Sequence, residues 1–330
     1  MDSRRPKVAI LGTRFRDFDI EREMLPDVEL VSGRGDSRAE ILEVAAGAAV
    51  ILAGAAPRFD RQTLDELGAK AIVRLGVGVD SVDLEAARGL GMTVAYVPDY
   101  GTETVALHAV SLLLASIRRL KLADRRTWGG SWGVGALRPL HLPSSLTAGI
   151  VGFGRIGRRV AVMLTGLSFQ RFLVADPMVG ATDLSETLPT GTARLVSLDE
   201  LLAESDVVTL HAPTSGRTHL IGAPELAKMK EGSALVNTAR GALIDTGALI
   251  SALAEGRPAV AALDVYETEP PDTSSFEPVA DRLLLTPHMS WYTEETEDEL
   301  RRKAAAEAGR ILSGEPPLHA LVSPMAAEVR

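Results

Sequence analysis

Short apolar runs, each ending in glycine, proline or a polar residue, recur along the chain and limit the folds that it can adopt. They form two sets, one at 8–12, 28–33, 49–54, 71–78 and 93–98, the other at 148–154, 171–177, 206–213, 233–240, 259–265 and 283–288. Runs of this length are typical of strands buried on both faces. The intervening sequence shows helical patterns, for example at 158–167, 197–205 and 246–256. Alternating strands and helices predict an α/β fold with parallel sheets covered by helices.

A long apolar helix, roughly residues 102–120, separates the two sets of strands, and the 330 residues suffice for two domains. The pattern at 294–312 is again helical. This last helix either closes the second unit or returns to the first, and periodicity alone leaves both possibilities open. Residues 313–324 read SGEPPLHALVSP, which predicts a loop followed by a surface tail.

The composition excludes several classes of protein. Hydrophobic residues make up 46% and charged residues 24%, which predicts a packed core. The formal net charge of −9 argues against a general nucleic-acid binder, because phosphate contacts need clustered Lys and Arg. The chain has no cysteine, so disulfides, thiolate zinc sites and cysteine nucleophiles are excluded, and no metal site is predicted.

Two features of the apolar segments bear on location. The N-terminal stretch lacks the longer apolar segment that a signal peptide needs. No run approaches the ~20 apolar residues of a membrane helix. The sequence therefore predicts a cytoplasmic protein with no membrane partner.

Residues 152–157 read Gly-Phe-Gly-Arg-Ile-Gly, directly after a predicted strand and before a predicted helix. In that context GxGxxG permits a tight turn and brings a pyrophosphate close to the helix N-terminus. The next strand ends in Asp176, about 20 residues on, where an acid accepts hydrogen bonds from an adenosine ribose. Asp176 would repel a 2′-phosphate, and Pro177 rather than an arginine follows it, so NAD is favoured over NADP. The alternative is a glycine turn of purely structural use.

Charged and titratable residues follow the strands of the second set. They are His211, Arg240, Asp264 and His288, and Glu269 comes soon after Asp264. Ligands of open α/β sheets bind beyond the carboxyl ends of the strands. Since several such groups would converge where a nicotinamide lies, the sequence predicts a reaction site at this edge.

The residue types suit hydride transfer to a 2-keto acid. Arg240 offers a permanently charged planar fork for the carboxylate and the keto oxygen. His288 is suited to protonate the forming alkoxide, and Glu269 beside it would stabilise the imidazolium. Asp264 is placed to accept a hydrogen bond from the nicotinamide carboxamide.

Each of these residues has a less functional alternative. For Arg240, the alternative to substrate binding is to cap a helix or to pair with Glu269. Glu269 lies in a proline-rich loop, where many acidic side chains are only solvated. His288 has the alternative of a satisfied loop histidine. The turn at His211 has the alternative of backbone and ring packing without chemistry. His108 is interpreted as a packed residue of the apolar helix.

Two further features concern the substrate. Glycines flank Val77, and successive backbone N–H groups of Val77 and Gly78 are suited to cradle a carboxylate, although a structural turn is the alternative. Trp291 offers a large apolar face with a donor N–H. The loop at 53–60 carries Arg58 as its only cation, whereas a phosphorylated substrate would need more positive charge. A substrate with an apolar or aromatic side chain is therefore favoured.

Taken together, these stretches resemble the D-isomer-specific 2-hydroxyacid dehydrogenase family. The matching segments lie at 74–94, 97–109, 149–161, 205–214, 235–245, 262–270 and 284–295. The resemblance implies an NAD(P)-dependent reductase of 2-keto acids that forms a homodimer. It assigns Arg240 to substrate binding, His288 to acid–base catalysis and Glu269 to the support of His288.

The residues and the resemblance together give a set of predicted ligand contacts. Those predicted to bind the cofactor, NADH in preference to NADPH, are Gly152, Gly154, Arg155, Ile156, Gly157, Asp176, His211, Ala212, Pro213, Thr238, Ala239 and Asp264. Those predicted to bind the 2-keto or 2-hydroxy acid are Val77, Gly78, Arg240 and Trp291.

The resemblance also implies a topology. A Rossmann cofactor domain, 101–290, would be inserted into a flavodoxin-like substrate domain made of 1–100 and 291–330. Both would be doubly wound parallel sheets, with the active site in the cleft and hinge closure excluding water.

The branch of the family is a finer question. Residues 287–295 resemble the C-terminal binding protein branch, where a tryptophan follows the catalytic histidine at this spacing. This leaves an NAD(H)-sensing binding or corepressor-like protein as an alternative function. A hydroxypyruvate or glyoxylate reductase and a phosphoglycerate dehydrogenase of the same family are further alternatives.

Overall fold

The computed structural model describes residues 5–13, 15–214 and 219–323. Their contacts divide the chain into two compact units. Unit 1 takes the described residues up to Gly101 and those from Thr293 onward, and unit 2 is Thr102–Tyr292. The helix at 294–312, which periodicity left open, therefore returns to the first unit.

Strands of three to six residues form two sheets. They are β1 (Lys7–Leu11), β2 (Glu29–Gly33), β3 (Ala48–Ala53), β4 (Ala71–Arg74), β5 (Thr93–Tyr96), β6 (Thr147–Val151), β7 (Arg171–Ala175), β8 (Ala193–Leu195), β9 (Val207–Leu210), β10 (Ala234–Asn237), β11 (Val260–Leu263), β12 (Leu283–Leu285) and β13 (Ala320–Val322).

Helices connect most of the strands. They are α1 (Asp19–Met24), α2 (Arg38–Ala45), α3 (Arg61–Leu67), α4 (Leu84–Gly89), α5 (Thr102–Ile117), α6 (Leu120–Trp128), α7 (Arg155–Gly166), α8 (Ala181–Thr187), α9 (Leu198–Glu204), α10 (Ala223–Lys228), α11 (Thr246–Glu255) and α12 (Glu294–Leu312). Short 3-10 turns lie at Gly135–Leu137, Pro143–Ser145, Gly241–Leu243 and Thr273–Arg282.

Side-chain caps fix several helix starts, because Ser, Thr and Asp accept hydrogen bonds from otherwise unpaired N–H groups. Asp60 accepts from the amide of Thr63 at the start of α3, and Asp245 accepts from that of Ala248 at the start of α11. The end of α11 is marked by Gly256 in the left-handed conformation.

Unit 1 has a six-stranded sheet in the order β13-β5-β4-β3-β1-β2. All its pairs are parallel except β13 on β5. The order β2-β1-β3-β4-β5 is that of flavodoxin-like doubly wound sheets. Helices cover both faces of this sheet, so β1, β3, β4 and β5 are buried, as the continuous apolar runs had predicted. The edge strand β2 was also expected to be buried on both faces, but it is partly exposed.

Unit 2 has a seven-stranded, entirely parallel sheet in the order β12-β11-β10-β9-β6-β7-β8. Counted from β6, this is the Rossmann order with one added strand at the edge. The order reverses between β6 and β9. Ligands of such sheets bind at that switch point, where the GxGxxG turn follows β6 and the turn at His211 follows β9.

The predicted α/β fold class is confirmed, and each predicted apolar run contains a strand. Three local features differ from the prediction. The helix expected over roughly 102–120 is observed as α5 and ends at Ile117, because Arg119 has a φ of 50° and separates α5 from α6. The short edge strand β8 was missed, and β13 forms where a loop was expected.

Edge position explains both missed strands, since neither is buried on two faces. Strand β13 is held in place because the carboxylate of Glu307 on α12 accepts from the amide of Leu318 through both oxygens, at 3.0 and 3.1 Å. The predicted surface tail lies beyond Ser323 and so outside the described residues. Among the helices of the described ranges, none combines the length and hydrophobicity that crossing a lipid bilayer requires.

Candidate active site

The GxGxxG turn needs its first and third glycines for packing within the chain. Gly152 has a φ of 88°, and a Cβ there would lie 2.6 Å from the amide nitrogen of Ala212. A Cβ at Gly157 would overlap the carbonyl of Gly152. A Cβ at Gly154 would meet no atom within 4 Å. Packing inside the unit therefore explains Gly152 and Gly157, whereas Gly154 borders open space at the N-terminus of α7, which suits a bound pyrophosphate.

Asp176, at the end of β7, is tied to the same turn. One of its carboxylate oxygens accepts from the amide of Phe153 at 2.7 Å, and the other accepts from that of Met178 at 2.9 Å. A carboxylate has further lone pairs, so Asp176 can also accept hydrogen bonds from two ribose hydroxyls. Arg155 begins α7 as an exposed residue, and Ile156 packs partly against the core.

The turn after β9 faces the glycine turn across the switch point. The amide of His211 donates to the carbonyl of Val151 at 2.7 Å, and its ring Nε2 lies 2.9 Å from Thr209 Oγ1. Burial lowers the pKa of His211 to about 3, so the ring is neutral at physiological pH. Its imidazole supplies no positive charge for phosphates. Ala212 is half-buried against the core and Pro213 is exposed.

The turn after β10 is held by Asn237. Its side-chain oxygen accepts from the amide of Ala239 at 3.0 Å, and its side-chain nitrogen donates to the carbonyl of Arg240 at 2.8 Å. The hydroxyl of Thr238 is buried and has no hydrogen-bond partner among the described residues. A buried polar atom without a protein partner calls for one from a ligand or water, which fits the predicted cofactor contact.

Arg240 starts the next turn as a half-buried residue, and its Nη1 donates to the carbonyl of Ala239 at 2.7 Å. Gly241 brings this turn against the loop that follows β11. A Cβ at Gly241 would overlap the backbone of Tyr266. The segments that carry Arg240 and Glu269 are therefore in direct backbone contact.

Asp264 is fully buried at the end of β11. Its Oδ1 accepts from Thr286 Oγ1 at 2.6 Å and from the amide of Met289 at 2.9 Å. Its Oδ2 accepts from the amide of Ser290 at 2.9 Å. Burial raises the pKa of Asp264, but hydrogen bonds from His108, Thr286, Met289 and Ser290 outweigh burial and lower it well below its usual range. These donors enclose the carboxylate, and its contact with a nicotinamide carboxamide stays a prediction.

Tyr266 ties the ends of two strands together. Its hydroxyl lies 3.1 Å from the carbonyl of Leu263 and 2.8 Å from that of Thr286. Burial and then the negative charge of Asp264 raise the pKa of Tyr266 to about 12, so the phenol keeps its proton. The relative position of the two loops that follow β11 and β12 is thereby fixed.

His288 and Glu269 meet at the edge built by these loops. Nδ1 of His288 lies 2.6 Å from Oε2 of Glu269, and the other oxygen of Glu269 accepts from the amide of Tyr266 at 3.1 Å. Burial raises the pKa of Glu269, but the hydrogen bond and charge of His288 and the Tyr266 amide outweigh it, and the pKa is lowered. Because an ionised carboxylate only accepts, Nδ1 carries the hydrogen and Nε2 is left for another partner.

The other residues predicted to bind substrate are Trp291, which follows β12, and Val77 and Gly78, which follow β4. Trp291 is half-buried in unit 2, with its ring edge-on to Tyr292 at 5.6 Å between centroids. Val77 and Gly78 follow β4 in unit 1, where the side chain of Val77 is exposed. Among the described residues, the amides of Val77 and Gly78 donate to no protein acceptor. Their roles with substrate stay predictions.

Unit 2 thus brings one group of the predicted residues to a single sheet edge: Arg240, Asp264, Glu269 and His288. Sequence reasoning missed Asn237, Tyr266 and Thr286, which position that group. The polar residues inside Asn-Thr-Ala-Arg and Thr-Pro-His were the available signal. His108 was interpreted as a packed helix residue, but its Nε2 lies 3.1 Å from Thr286 Oγ1.

Comparison with known proteins decides the family. Residues 110–290 match the family model for the D-isomer specific 2-hydroxyacid dehydrogenase, NAD binding domain. This chain belongs to the D-isomer-specific 2-hydroxyacid dehydrogenase family. The resemblance seen in the motifs is therefore confirmed at the level of the family, and its likeness to the C-terminal binding protein branch stays a prediction.

Two curated members of the D-isomer-specific 2-hydroxyacid dehydrogenase family illustrate the range of relatives. A D-3-phosphoglycerate dehydrogenase of Archaeoglobus fulgidus is 34% identical over 309 residues, which is 93% of this chain and 57% of that protein. A glyoxylate reductase of Aeropyrum pernix is 36% identical over 257 residues, which is 75% of each protein. The chain thus spans little more than half the length of the first of these relatives.

A solved structure shows the same fold. The D-lactate dehydrogenase of Aquifex aeolicus, complexed with NAD and lactic acid, is 27% identical and superposes with a TM-score of 0.85. The match covers 96% of this chain and 99% of that one. An α/β fold with a Rossmann NAD-binding domain is therefore established for this member of the family.

Proposed function

We propose that this chain is an NAD(H)-dependent dehydrogenase that interconverts 2-keto acids and D-2-hydroxy acids. The contact between His288 and Glu269 carries the proposal, because it pairs a proton donor with a carboxylate at the strand edge where Rossmann ligands bind. Family membership and the D-lactate dehydrogenase structure support it.

The side chains divide the work of reduction among them. The bound nicotinamide supplies the hydride to the keto carbon. Arg240 binds the carboxylate and polarises the keto oxygen, because its charge is permanent and its donors are planar. Nε2 of His288 delivers a proton to that oxygen as negative charge develops. Glu269 keeps Nδ1 protonated and stabilises the positive ring until the proton is transferred.

The cofactor is held by the switch-point turns and the end of β10. Open space beside Gly154 and the N-terminus of α7 suit the pyrophosphate, with Arg155 and Ile156 beside it. The backbone at His211, Ala212 and Pro213 and the orphaned hydroxyl of Thr238, next to Ala239, supply further contacts. Asp176 favours NADH over NADPH, because a carboxylate repels a 2′-phosphate.

We propose an unphosphorylated substrate with an apolar or aromatic side chain. Free amides at Val77 and Gly78 suit a carboxylate, and the face of Trp291 suits an apolar group. In unit 1 the loop after β3 exposes Ala55, Ala56 and Arg58, and of these three side chains Arg58 alone is positively charged. A phosphate ester would need more positive charge.

The substrate proposal is tested by comparing kcat/KM for phenylpyruvate, a methionine-derived keto acid, hydroxypyruvate, glyoxylate and 3-phosphohydroxypyruvate with NADH. We expect the first two to give the highest values. Highest efficiency with the phosphorylated acid would overturn the substrate proposal and leave the proposed reaction standing. That outcome would agree with the activity named for the Archaeoglobus relative.

A homodimer is also proposed. No residue of α6 is buried. Trp128 and Trp132 are 86% and 92% exposed. Leu120, Val134 and Leu142 are exposed in the same stretch. Large apolar side chains concentrated in one exposed segment are typical of an interface, and a second copy of the chain is the proposed partner. A cytoplasmic location stays a prediction.

A further inference from the structure

A chain of polar contacts runs from α5 to the turn that carries His288. Nε2 of His108 lies 3.1 Å from Thr286 Oγ1 and 3.5 Å from Asp264 Oδ1. Thr286 Oγ1 in turn lies 2.6 Å from Asp264 Oδ1. The side chain of His108 is 17% exposed and that of Asp264 is fully buried, so solvent competes little for these contacts.

The direction of these hydrogen bonds follows from counting hydrogens. A threonine hydroxyl has one hydrogen, and the ionised carboxylate of Asp264 can only accept. The hydroxyl of Thr286 therefore donates to Asp264. Nε2 of His108 must then donate to Thr286, so His108 carries a hydrogen on Nε2. The orientation of the Thr286 hydroxyl therefore depends on His108, and that of the Asp264 carboxylate depends on Thr286.

Asp264 also binds the backbone around His288. Its carboxylate accepts from the amides of Met289 and Ser290, and its carbonyl accepts from the amide of His288 at 2.8 Å. Three consecutive amides are thus held by one residue. His288 has a φ of 51°, in the left-handed region that a non-glycine residue adopts only when its surroundings impose it.

We propose that His108 is a positioning residue for the reaction, acting through Thr286 and Asp264 to hold the turn that presents His288 to the substrate. The proposal rests on the proposed dehydrogenase function and assigns His108 a role that its place on an apolar helix face does not suggest. His108 touches neither His288 nor Glu269 in the contacts described, so its effect is indirect.

Three variants test the chain of contacts. His108→Leu removes the donor, His108→Gln keeps an N–H donor on a side chain of similar reach, and Thr286→Val removes the hydroxyl with little change of volume. We expect His108→Leu and Thr286→Val to lower kcat on the order of 10-fold, because a displacement of about 1 Å costs up to about 100-fold in rate. KM for the keto acid and the dissociation constant of NADH should change less than about twofold, since neither His108 nor Thr286 is assigned a contact with either ligand.

The conservative variant and the double variant separate positioning from general loss of structure. His108→Gln should retain most of the wild-type kcat. The double variant His108→Leu/Thr286→Val should be no slower than Thr286→Val alone, because both changes interrupt the same series of hydrogen bonds. Ser111→Ala serves as the matched control, because Ser111 lies on the same helix and its hydroxyl donates only to the carbonyl of Leu107.

The outcomes that overturn the proposal are distinct. Wild-type kcat in both His108→Leu and Thr286→Val would show that the chain of contacts does not position His288. Equal losses in kcat and in NADH binding, or no recovery with His108→Gln, would show a structural role only. If His108→Leu does not fold, Thr286→Val decides by the same criteria. Failure of the proposed function is a different result, since the wild-type protein itself would then oxidise no NADH with any keto acid.

Discussion

His288 is the residue on which the proposed proton transfer depends, and its backbone lies in an uncommon conformation. Replacement by alanine removes the acid and should lower kcat by about 10² to 10⁴-fold, as expected for a lost general acid. His288→Asn is a second variant that tolerates a positive φ, since asparagine is enriched in that region. Steady-state rates with NADH measure both, and wild-type rates in both would contradict the role.

Glu269 allows a pH prediction with a definite sign. Its pKa is lowered in the folded state, so its pairing with His288 stabilises the protein above the unfolded value of about 4.3. That contribution is lost as the pH falls through the lowered pKa. Melting temperatures of the wild type and Glu269→Gln should differ at pH 6 and converge toward pH 3. A difference that stays constant over this range would contradict the prediction.

Asp176 should set the choice of cofactor. Asp176→Ala removes the negative charge that would face a 2′-phosphate, so kcat/KM with NADPH should rise about 10-fold or more, in keeping with one acid directing this choice. The same change should lower kcat/KM with NADH, because the ribose loses its acceptor. Asp183→Ala is the control, since Asp183 lies on α8 and pairs with Arg158 of α7. An unchanged NADPH/NADH ratio would contradict the assignment.

At the level of helices and strands, unit 1 depends on a buried ion pair between α12 and α1. Both oxygens of Glu21 accept from Arg301, at 2.9 and 2.7 Å, and the two side chains are 1% and 5% exposed. Asp17 contacts the same guanidinium at 3.2 Å. A bidentate pair at this depth satisfies both charges only while both partners remain.

Removal of one partner should therefore be costly. Arg301→Met leaves Glu21 buried and unpaired, and should lower the free energy of unfolding by about 3 to 5 kcal/mol. Arg302→Met is the matched control, because Arg302 is half exposed and lies 3.5 Å from Glu23. Urea unfolding measures the difference. Equal stability of the two variants would show that the buried pair contributes no more than the exposed one.

The strands were predictable to the extent that they are buried on both faces. Runs such as that of β1 and that of β6 are continuous apolar stretches because helices cover both sides of each sheet. The edge strands β8 and β13 lack that signal, and the break at Arg119 arises from a backbone conformation that hydrophobic periodicity does not encode.

The site was predictable where chemistry is carried by residue type. Arg, His and Glu after strands point to a reaction edge, and His288 and Glu269 do contact each other. The supporting contacts were not predictable, because they join residues far apart in sequence. The hydroxyl of Tyr266 reaches the carbonyl of Thr286, and His108 reaches Thr286 from α5. Only the three-dimensional fold brings these partners together.

For the whole molecule, the exposed segment around α6 makes the oligomeric state testable. If a second copy covers Trp128 and Trp132, the wild type should have the mass of a dimer in light scattering coupled to size exclusion. Replacing both tryptophans with Gln should shift the mass toward a monomer, because large aromatic side chains dominate interface energy. Met178→Gln is the control, as an exposed apolar residue at another place. A wild-type monomer would contradict the proposal.

The central proposal is hydride transfer to a 2-keto acid, with His288, Glu269 and Arg240 as the reacting protein groups. Its most direct test follows NADH oxidation at 340 nm with a panel of 2-keto acids, together with chiral analysis of the product. We expect keto-acid-dependent oxidation that yields the D-2-hydroxy acid. Folded protein that binds NADH and oxidises it with none of the acids, or that forms the L-product, would contradict the proposed reaction.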